Sequence, residues 1–140
     1  MINRVHHVGI VVSDLDRALE VYRRIFDVKP SEVKQVIRGK LRVAFIPVGN
    51  GEIELIQPLG TESVLGKYLR THGEGIHHFS LATDDIESDV KRLRERGALF
   101  MEDCPTIGAH GVPIIFTRPE TTGGVSIELL EQKEARVQPI

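Results

Sequence analysis

The chain is 140 residues long and 41% hydrophobic, with 18 Lys and Arg against 20 Asp and Glu for a formal net charge of −2. That is one domain's worth of chain with apolar content enough for a core; the single cysteine, Cys104, excludes a disulfide scaffold, and the charge balance excludes the broad positive field that nucleic acid or an anionic membrane attracts. No stretch approaches the roughly 18 apolar residues of a membrane helix, and a histidine pair stands where a signal peptide has its long apolar run, so a soluble, cytoplasmic protein that keeps its thiol reduced is expected.

Residues 5–12 are rich in β-branched side chains and suit a strand. Ser13, with Asp16 three residues on, makes a capping-box-like helix start, and Leu15, Ala18, Leu19, Tyr22, Ile25 and Phe26 recur at helical spacing. Strands are expected over 32–37, 41–48 and 52–57, the last two joined by Gly49, Asn50 and Gly51, whose Asn-Gly step favours a hairpin. Residues 58–75 read as a linker holding a short helix in which Val64, Leu65, Tyr68 and Leu69 point one way. The order then recurs: a strand over 76–83, a helix over 85–96 with Gly97 as its C′ residue, strands near Leu99, over 112–117 and over 125–131, and a loose polar tail over 132–140.

This recurrence is a repeat in the residues themselves. HVGIVVSDLD at 7–16 aligns without gaps on HFSLATDDIE at 78–87, an offset of 71, and EIELIQ at 52–57 aligns on SIELLE at 126–131, an offset of 74. The fold class predicted is α+β, with two tandem βαβββ modules, about 5–57 and 76–131, forming a curved mixed sheet around a metal cavity within one domain over 1–140. Taken singly, His7, Glu54, His78 and Glu128 are ordinary strand residues. Their recurrence at matched positions is not ordinary, and two imidazoles with two carboxylates make a ligand set for a divalent ion such as cobalt, manganese, nickel, zinc or iron rather than a thiolate zinc site. His6 and His77, on the opposite faces of their strands, read as supporting or core residues, and His72 as a surface residue.

Several stretches carry a resemblance: His6-His7-Val-Gly-Ile, Ile53-Glu54-Leu-Ile-Gln-Pro-Leu, Gly73-Glu-Gly-Ile-His77-His78, Gly108-Ala-His110-Gly and Thr122-Gly-Gly-Val-Ser-Ile-Glu128-Leu. Over about residues 5–131 the chain resembles the vicinal oxygen chelate superfamily, the glyoxalase and bleomycin-resistance fold, and the Gly-Ile-His-His and Gly-Ala-His-Gly segments are similar to its branch that epimerises methylmalonyl-CoA. The resemblance implies one divalent ion per chain, cobalt first and then manganese, nickel or zinc, held by His7, Glu54, His78 and Glu128. It also implies a homodimer, an acyl-CoA substrate, and inversion at C2 through a chelated enolate with Glu128 as one catalytic base.

A second base stays open. Some family members carry a non-ligand Glu on the strand that here runs 39–45, where this chain has only Arg42 or Val43; Glu52, one pleat from Glu54 on the same face, is the remaining catalytic candidate. For substrate binding, His110 between Gly108 and Gly111 sits in a loop, 105–112, suited to closing over the acyl group. Arg118 precedes Pro119 and Glu120 where relatives often read His-Pro-Lys; if that lysine meets phosphate in relatives, the reversed charge of Glu120 would alter coenzyme A binding here, and Arg118 could compensate. Two other readings remain: an isomerase of a glutathione hemithioacetal, and a non-catalytic drug-binding protein of the same fold. Extradiol dioxygenases use one carboxylate fewer, which counts against them.

Overall fold

Pleating divides each strand between two faces, and here one face packs under a helix while the other carries the polar residues. A computed structural model describes residues 1–133; most of the tail expected over 132–140 lies outside them. In chain order the elements are β1 (Ile2–Val11), α1 (Leu15–Phe26), β2 (Lys34–Val36), β3 (Leu41–Val48), β4 (Gly51–Pro58), α2 (Val64–His72), β5 (Gly75–Thr83), α3 (Ile86–Glu95), β6 (Thr106–Ile107), β7 (Pro113–Phe116), a 3-10 turn at Pro119–Thr122 and β8 (Ser126–Glu131). The twofold recurrence of βαβββ is therefore observed, and among the described residues no helix is long and apolar enough to cross a membrane.

The chain divides into two units, His6–Phe79 and Met1–Val5 with the residues from Ser80 onward. In the first, strands run in the order β2, β3, β4, β1. β1 lies parallel to β4, with His7 opposite Glu52 and Gly9 opposite Glu54; β3 lies antiparallel to β4, with Phe45 opposite Glu54; and β2 lies antiparallel to β3, with Lys34 opposite Val43. Leu15 and Leu19 of α1 bury against Ala44, Ile46 and Leu55, with Ile10 and Ile53 beside them. Those are the alternate residues of β1, β3 and β4, so His7, Gly9, Val43, Phe45, Glu52 and Glu54 all belong to the other face.

The second unit repeats the plan. β8 pairs with β7 antiparallel, Leu129 opposite Ile115 and Glu128 opposite Phe116, and β6 pairs with β7. Ile86 and Val90 of α3 pack with Ile115, Leu129 and Phe100, flanked by Ile2 and Leu81, which leaves Ser80 and Glu128 on the face away from the helix.

Matched anchors start the two helices. Asp14 is the N-cap of α1, accepting from Arg17 N, and Asp85, 71 residues on, caps α3 by accepting from Ser88 N. Each helix is also tied to the last strand of its module: Leu15 N donates to Gln57 Oε1 at 3.0 Å, and Ile86 N to Glu131 Oε2 at 3.0 Å. An acceptor beside the exposed N–H groups of a helix start satisfies donors that have no intrahelical partner.

Four local expectations are corrected. Ser13 does not cap α1; its N–H and hydroxyl both donate to Glu74, at 2.8 and 2.7 Å, and those bonds hold the Glu74 carboxyl below its usual range. β2 is shorter than 32–37 because Ile37 and Arg38 take left-handed backbone, φ 53° and 55°, and end the ladder at Val36. The hairpin loop is Gly49-Asn50, with Gly51 already in β4; Gly49, at φ 59°, supplies the left-handed residue in the first turn position. Near Leu99 there is only a bridge, Phe100 to Thr117, flanked by Arg118 N donating to Leu99 O and Met101 N to Phe116 O; past Met101 the chain leaves the ladder, and Arg94 holds it by donating to the Glu102 and Asp103 carbonyls.

Replacing Asp14 by Ala removes the cap of α1 and is expected to lower the unfolding free energy by about 1 kcal/mol, read from urea denaturation. Unchanged stability would return the cap to Ser13.

Candidate metal centre

On the face of the first unit away from α1, three side chains from three strands converge. His7 Nε2 lies 3.2 Å from His78 Nε2 and 3.2 Å from Glu54 Oε2. His7, His78 and Glu54 are 1%, 2% and 7% exposed, so the three groups meet almost without water, and their ligand atoms all lie within 4.8 Å of one another. Ligands about 2.1 Å from a common ion are separated by about 3.0–3.4 Å, so the two 3.2 Å contacts have the length of edges of a coordination polyhedron. The residues fit a divalent ion by geometry and by donor type, two nitrogens and a carboxylate oxygen.

The outer nitrogen of each imidazole is held as well. His6 Nδ1 lies 2.8 Å from His7 Nδ1, and His77 Nδ1 lies 3.0 Å from His78 Nδ1. When an inner ring keeps its proton on Nδ1 and donates it to the neighbouring histidine, its Nε2 lone pair points into the cluster, which is the tautomer a metal ligand needs. Burial, and then the His77 ring, push His78 down to about 3, so it is a neutral donor across the physiological range.

Gly9 makes the convergence possible, and strand pattern alone did not mark it. A Cβ there would stand 2.1 Å from His78 Cε1 and 2.6 Å from His78 Nε2; the imidazole lies directly over the glycine. A signal was present in the repeat, where Gly9 aligns with Ser80. That serine was also overlooked. Its hydroxyl donates to Glu128 Oε1 at 2.7 Å, both residues being buried in the second unit. Burial pushes the Glu128 carboxyl up to about 7, against the Ser80 hydrogen bond, which pulls it down.

The remaining expected residues are distributed as follows. Glu52 is half-buried on the face of His7, its register partner. Arg42 is turned to the other face, donating to Gln57 Oε1 at 3.1 Å and to Asp16 Oδ1 at 3.1 Å, which leaves Val43, buried, on the polar face. His110 is half-buried in the loop joining β6 to β7, where Gly108 N donates to Val112 O and Gly111 N to Gly108 O, both at 3.0 Å. Arg118 is exposed, its Nε donating to Phe100 O at 3.3 Å.

Residues 6–116 match the Glyoxalase/Bleomycin resistance protein/Dioxygenase superfamily, and the chain belongs to it. Within that superfamily it is 36% identical over 131 residues, 92% of this chain and 98% of the relative, to an ethylmalonyl-CoA/methylmalonyl-CoA epimerase of Cereibacter sphaeroides. It is 35% identical over 129 residues, 91% of this chain and 72% of the relative, to the mitochondrial methylmalonyl-CoA epimerase of Mus musculus. A solved variant of Streptomyces coelicolor methylmalonyl-CoA epimerase, in complex with 2-nitronate-propionyl-CoA, is similar with a TM-score of 0.89 and 29% identity, over 99% of this chain and 100% of that one.

Substituting Gly9 by Ala places a methyl inside the His78 ring. His78 must move, so affinity for a divalent ion is expected to fall at least about tenfold while far-UV circular dichroism stays as in the parent. Undiminished affinity in a titration with Co2+ would show that His78 is not a ligand.

Proposed function

We propose that the protein interconverts the C2 epimers of methylmalonyl-CoA by removing and returning the C2 proton, with one divalent ion, cobalt first among the candidates, held by His7, Glu54, His78 and Glu128. The observation that carries the reading is the buried cluster of His7, Glu54 and His78, with nitrogen and oxygen ligand atoms 3.2 Å apart. The relatives supply the substrate class. Glu128 enters as fourth ligand through its correspondence with Glu54 in the repeated Ile-Glu-Leu segment. Membership of the same family supports a homodimer, and the exposed thiol of Cys104 supports a reducing, cytoplasmic compartment.

A divalent ion in this ligand set would serve as a Lewis acid for the charge that develops on the thioester oxygen as C2 loses its proton. The proton itself belongs to the protein. Glu128, whose carboxyl burial pushes up to about 7 before any ion binds, is the group assigned to take and return the proton. Inversion requires a second group on the other side of C2. With Arg42 bonded to Asp16 and Gln57 and Val43 bearing no acidic or basic group, that role falls to Glu52. His110, with Gly108 and Gly111 giving its loop small neighbours, is assigned to the acyl group, and Arg118 to the coenzyme A phosphates.

In deuterium oxide the parent protein is expected to wash label into C2 of methylmalonyl-CoA, and thioesters of unbranched acids, which lack the second carboxylate, to exchange poorly. Glu128→Gln should slow exchange by about 100-fold or more, since an amide cannot accept the proton, while retaining part of the metal affinity through its carbonyl oxygen. Rapid turnover of a glutathione hemithioacetal without exchange at methylmalonyl-CoA would transfer the assignment to the glyoxalase reading.

Metal affinity should also depend on pH through the Glu128 carboxyl. Glu128 must be ionised to bind a cation, and its raised value means the proton competes below about 7. His78, held down to about 3, adds nothing in that range. Affinity for Co2+ is therefore expected to fall by about tenfold per pH unit below 7 and to level off above it; a flat profile between pH 5 and 8 would remove Glu128 from the ligand set.

A further inference from the structure

The helix α2, Val64–His72, belongs to neither βαβββ module. Its start is fixed by Ser63, whose hydroxyl accepts from Gly66 N at 3.0 Å, and by Gly66 itself, where a Cβ would stand 2.3 Å from Gly60 O, so the helix sits directly on the chain that leads into it. From that seat Tyr68 meets the strand that carries His78. Its hydroxyl donates to Ile76 O at 3.2 Å, and its ring stands perpendicular to the His77 ring, with 4.7 Å between centroids and 89° between planes. His72, one turn further on, stacks on Tyr68 at 4.3 Å and 16°, and its Nδ1 lies 3.3 Å from Tyr68 O. All these residues, like His7, Glu54 and His78, lie within the unit His6–Phe79.

These contacts lead to a metal ligand. His77 Nδ1 lies 3.0 Å from His78 Nδ1, and because the ring torsion of a histidine is broad and roughly two-fold, that bond lasts only while the His77 ring is kept from turning. His6, which stands in the matching relation to His7 at 2.8 Å, is 5% exposed. His77 is half-buried, and the Tyr68 ring supplies part of its cover. We propose that Tyr68 is a positioning residue for the metal centre: its ring, anchored through the hydroxyl at Ile76 O, keeps His77 turned toward His78, so that His78 Nε2 stays aimed at the place the ion would take. This deepens the reading of His7, Glu54 and His78 as ligands of a divalent ion and rests on it. Outer partners of metal-binding histidines set affinity by about 10- to 100-fold, and Tyr68 acts one residue further out, through His77. The segment between the modules is thereby part of the site's support and more than a connection.

The test titrates Co2+ into the metal-free parent, Tyr68→Phe, Tyr68→Leu, His77→Ala and the double variant of Tyr68→Leu with His77→Ala, each checked by far-UV circular dichroism. Tyr68→Leu is expected to bind Co2+ about five- to twentyfold more weakly than the parent. Tyr68→Phe, which keeps the ring, should stay within about threefold of it. In the His77→Ala background, Tyr68→Leu should change the affinity by less than about twofold, because the ring it positions is gone. Parent affinity in Tyr68→Leu overturns the proposal. So does a Tyr68→Phe variant as weak as Tyr68→Leu, and so does a loss that adds in full to that of His77→Ala, which marks a general loosening of the fold. Should Tyr68→Leu lose the parent's circular dichroism, Tyr68→Met, whose flexible side chain fills irregular gaps, takes its place with the same outcomes. A parent that binds no Co2+, or a His78→Ala variant that binds it undiminished, overturns the ligand reading itself, before Tyr68 is altered.

Discussion

Burying His7, His78 and Glu54 together is the constraint on which the first unit depends. A buried polar group left without a partner costs about 1–3 kcal/mol, so three of them unpaired would consume much of the roughly 5–15 kcal/mol by which a domain is stable. The fold gives each imidazole a second histidine at its outer nitrogen and gathers the inner nitrogens and the carboxylate at 3.2 Å, where a shared cation would satisfy all three. Pleat parity does the sorting. Ile10, Ala44, Ile46, Ile53 and Leu55 go beneath α1, and their alternate neighbours are thereby free to be polar.

The same parity made much of this visible in the chain. Offsets of 71 and 74 pick out both histidines and both glutamates, because a repeat preserves the register of what it repeats. What stayed hidden depended on partners far along the chain. Ser13 looks like a cap until Glu74, 61 residues later, takes both its donors, and the neighbouring Asp14 does the capping. Gly9 sits beside His7 in any reading, yet only the position of His78 shows why a side chain is forbidden there. The β6 strand was misplaced because Phe100 and the short Thr106–Ile107 segment each make only a fragment of a ladder, and a fragment has no alternation to detect. Arg42 and Val43 were left as alternatives by their sequence; Asp16 and Gln57 separate them by claiming the guanidinium.

Gln57 and Glu131 show how position is transmitted. Each stands on the strand that also carries a matched glutamate, three residues after Glu54 or Glu128, and each accepts from the first N–H of its module's helix. Three residues is odd, so the acceptor falls on the helix side of the strand while the glutamate falls on the other. A single strand thus fixes the helix start with one face and presents a carboxylate with the other, and the apolar packing of Leu15 or Ile86 against that strand stiffens both. Loss of either acceptor would loosen a carboxylate it never touches.

The difference between Gly9 and Ser80 has a consequence for descent. A half-length ancestor that assembled from two identical copies would have one codon for both positions, so a glycine making room for a ring and a serine gripping a carboxylate could not coexist. Duplication within one gene gives each position its own codon, and selection can then change one without touching the other. A planar carbon centre attacked from its two sides presents two different tasks, and a fused chain is the economical genetic means of answering them with two different residues.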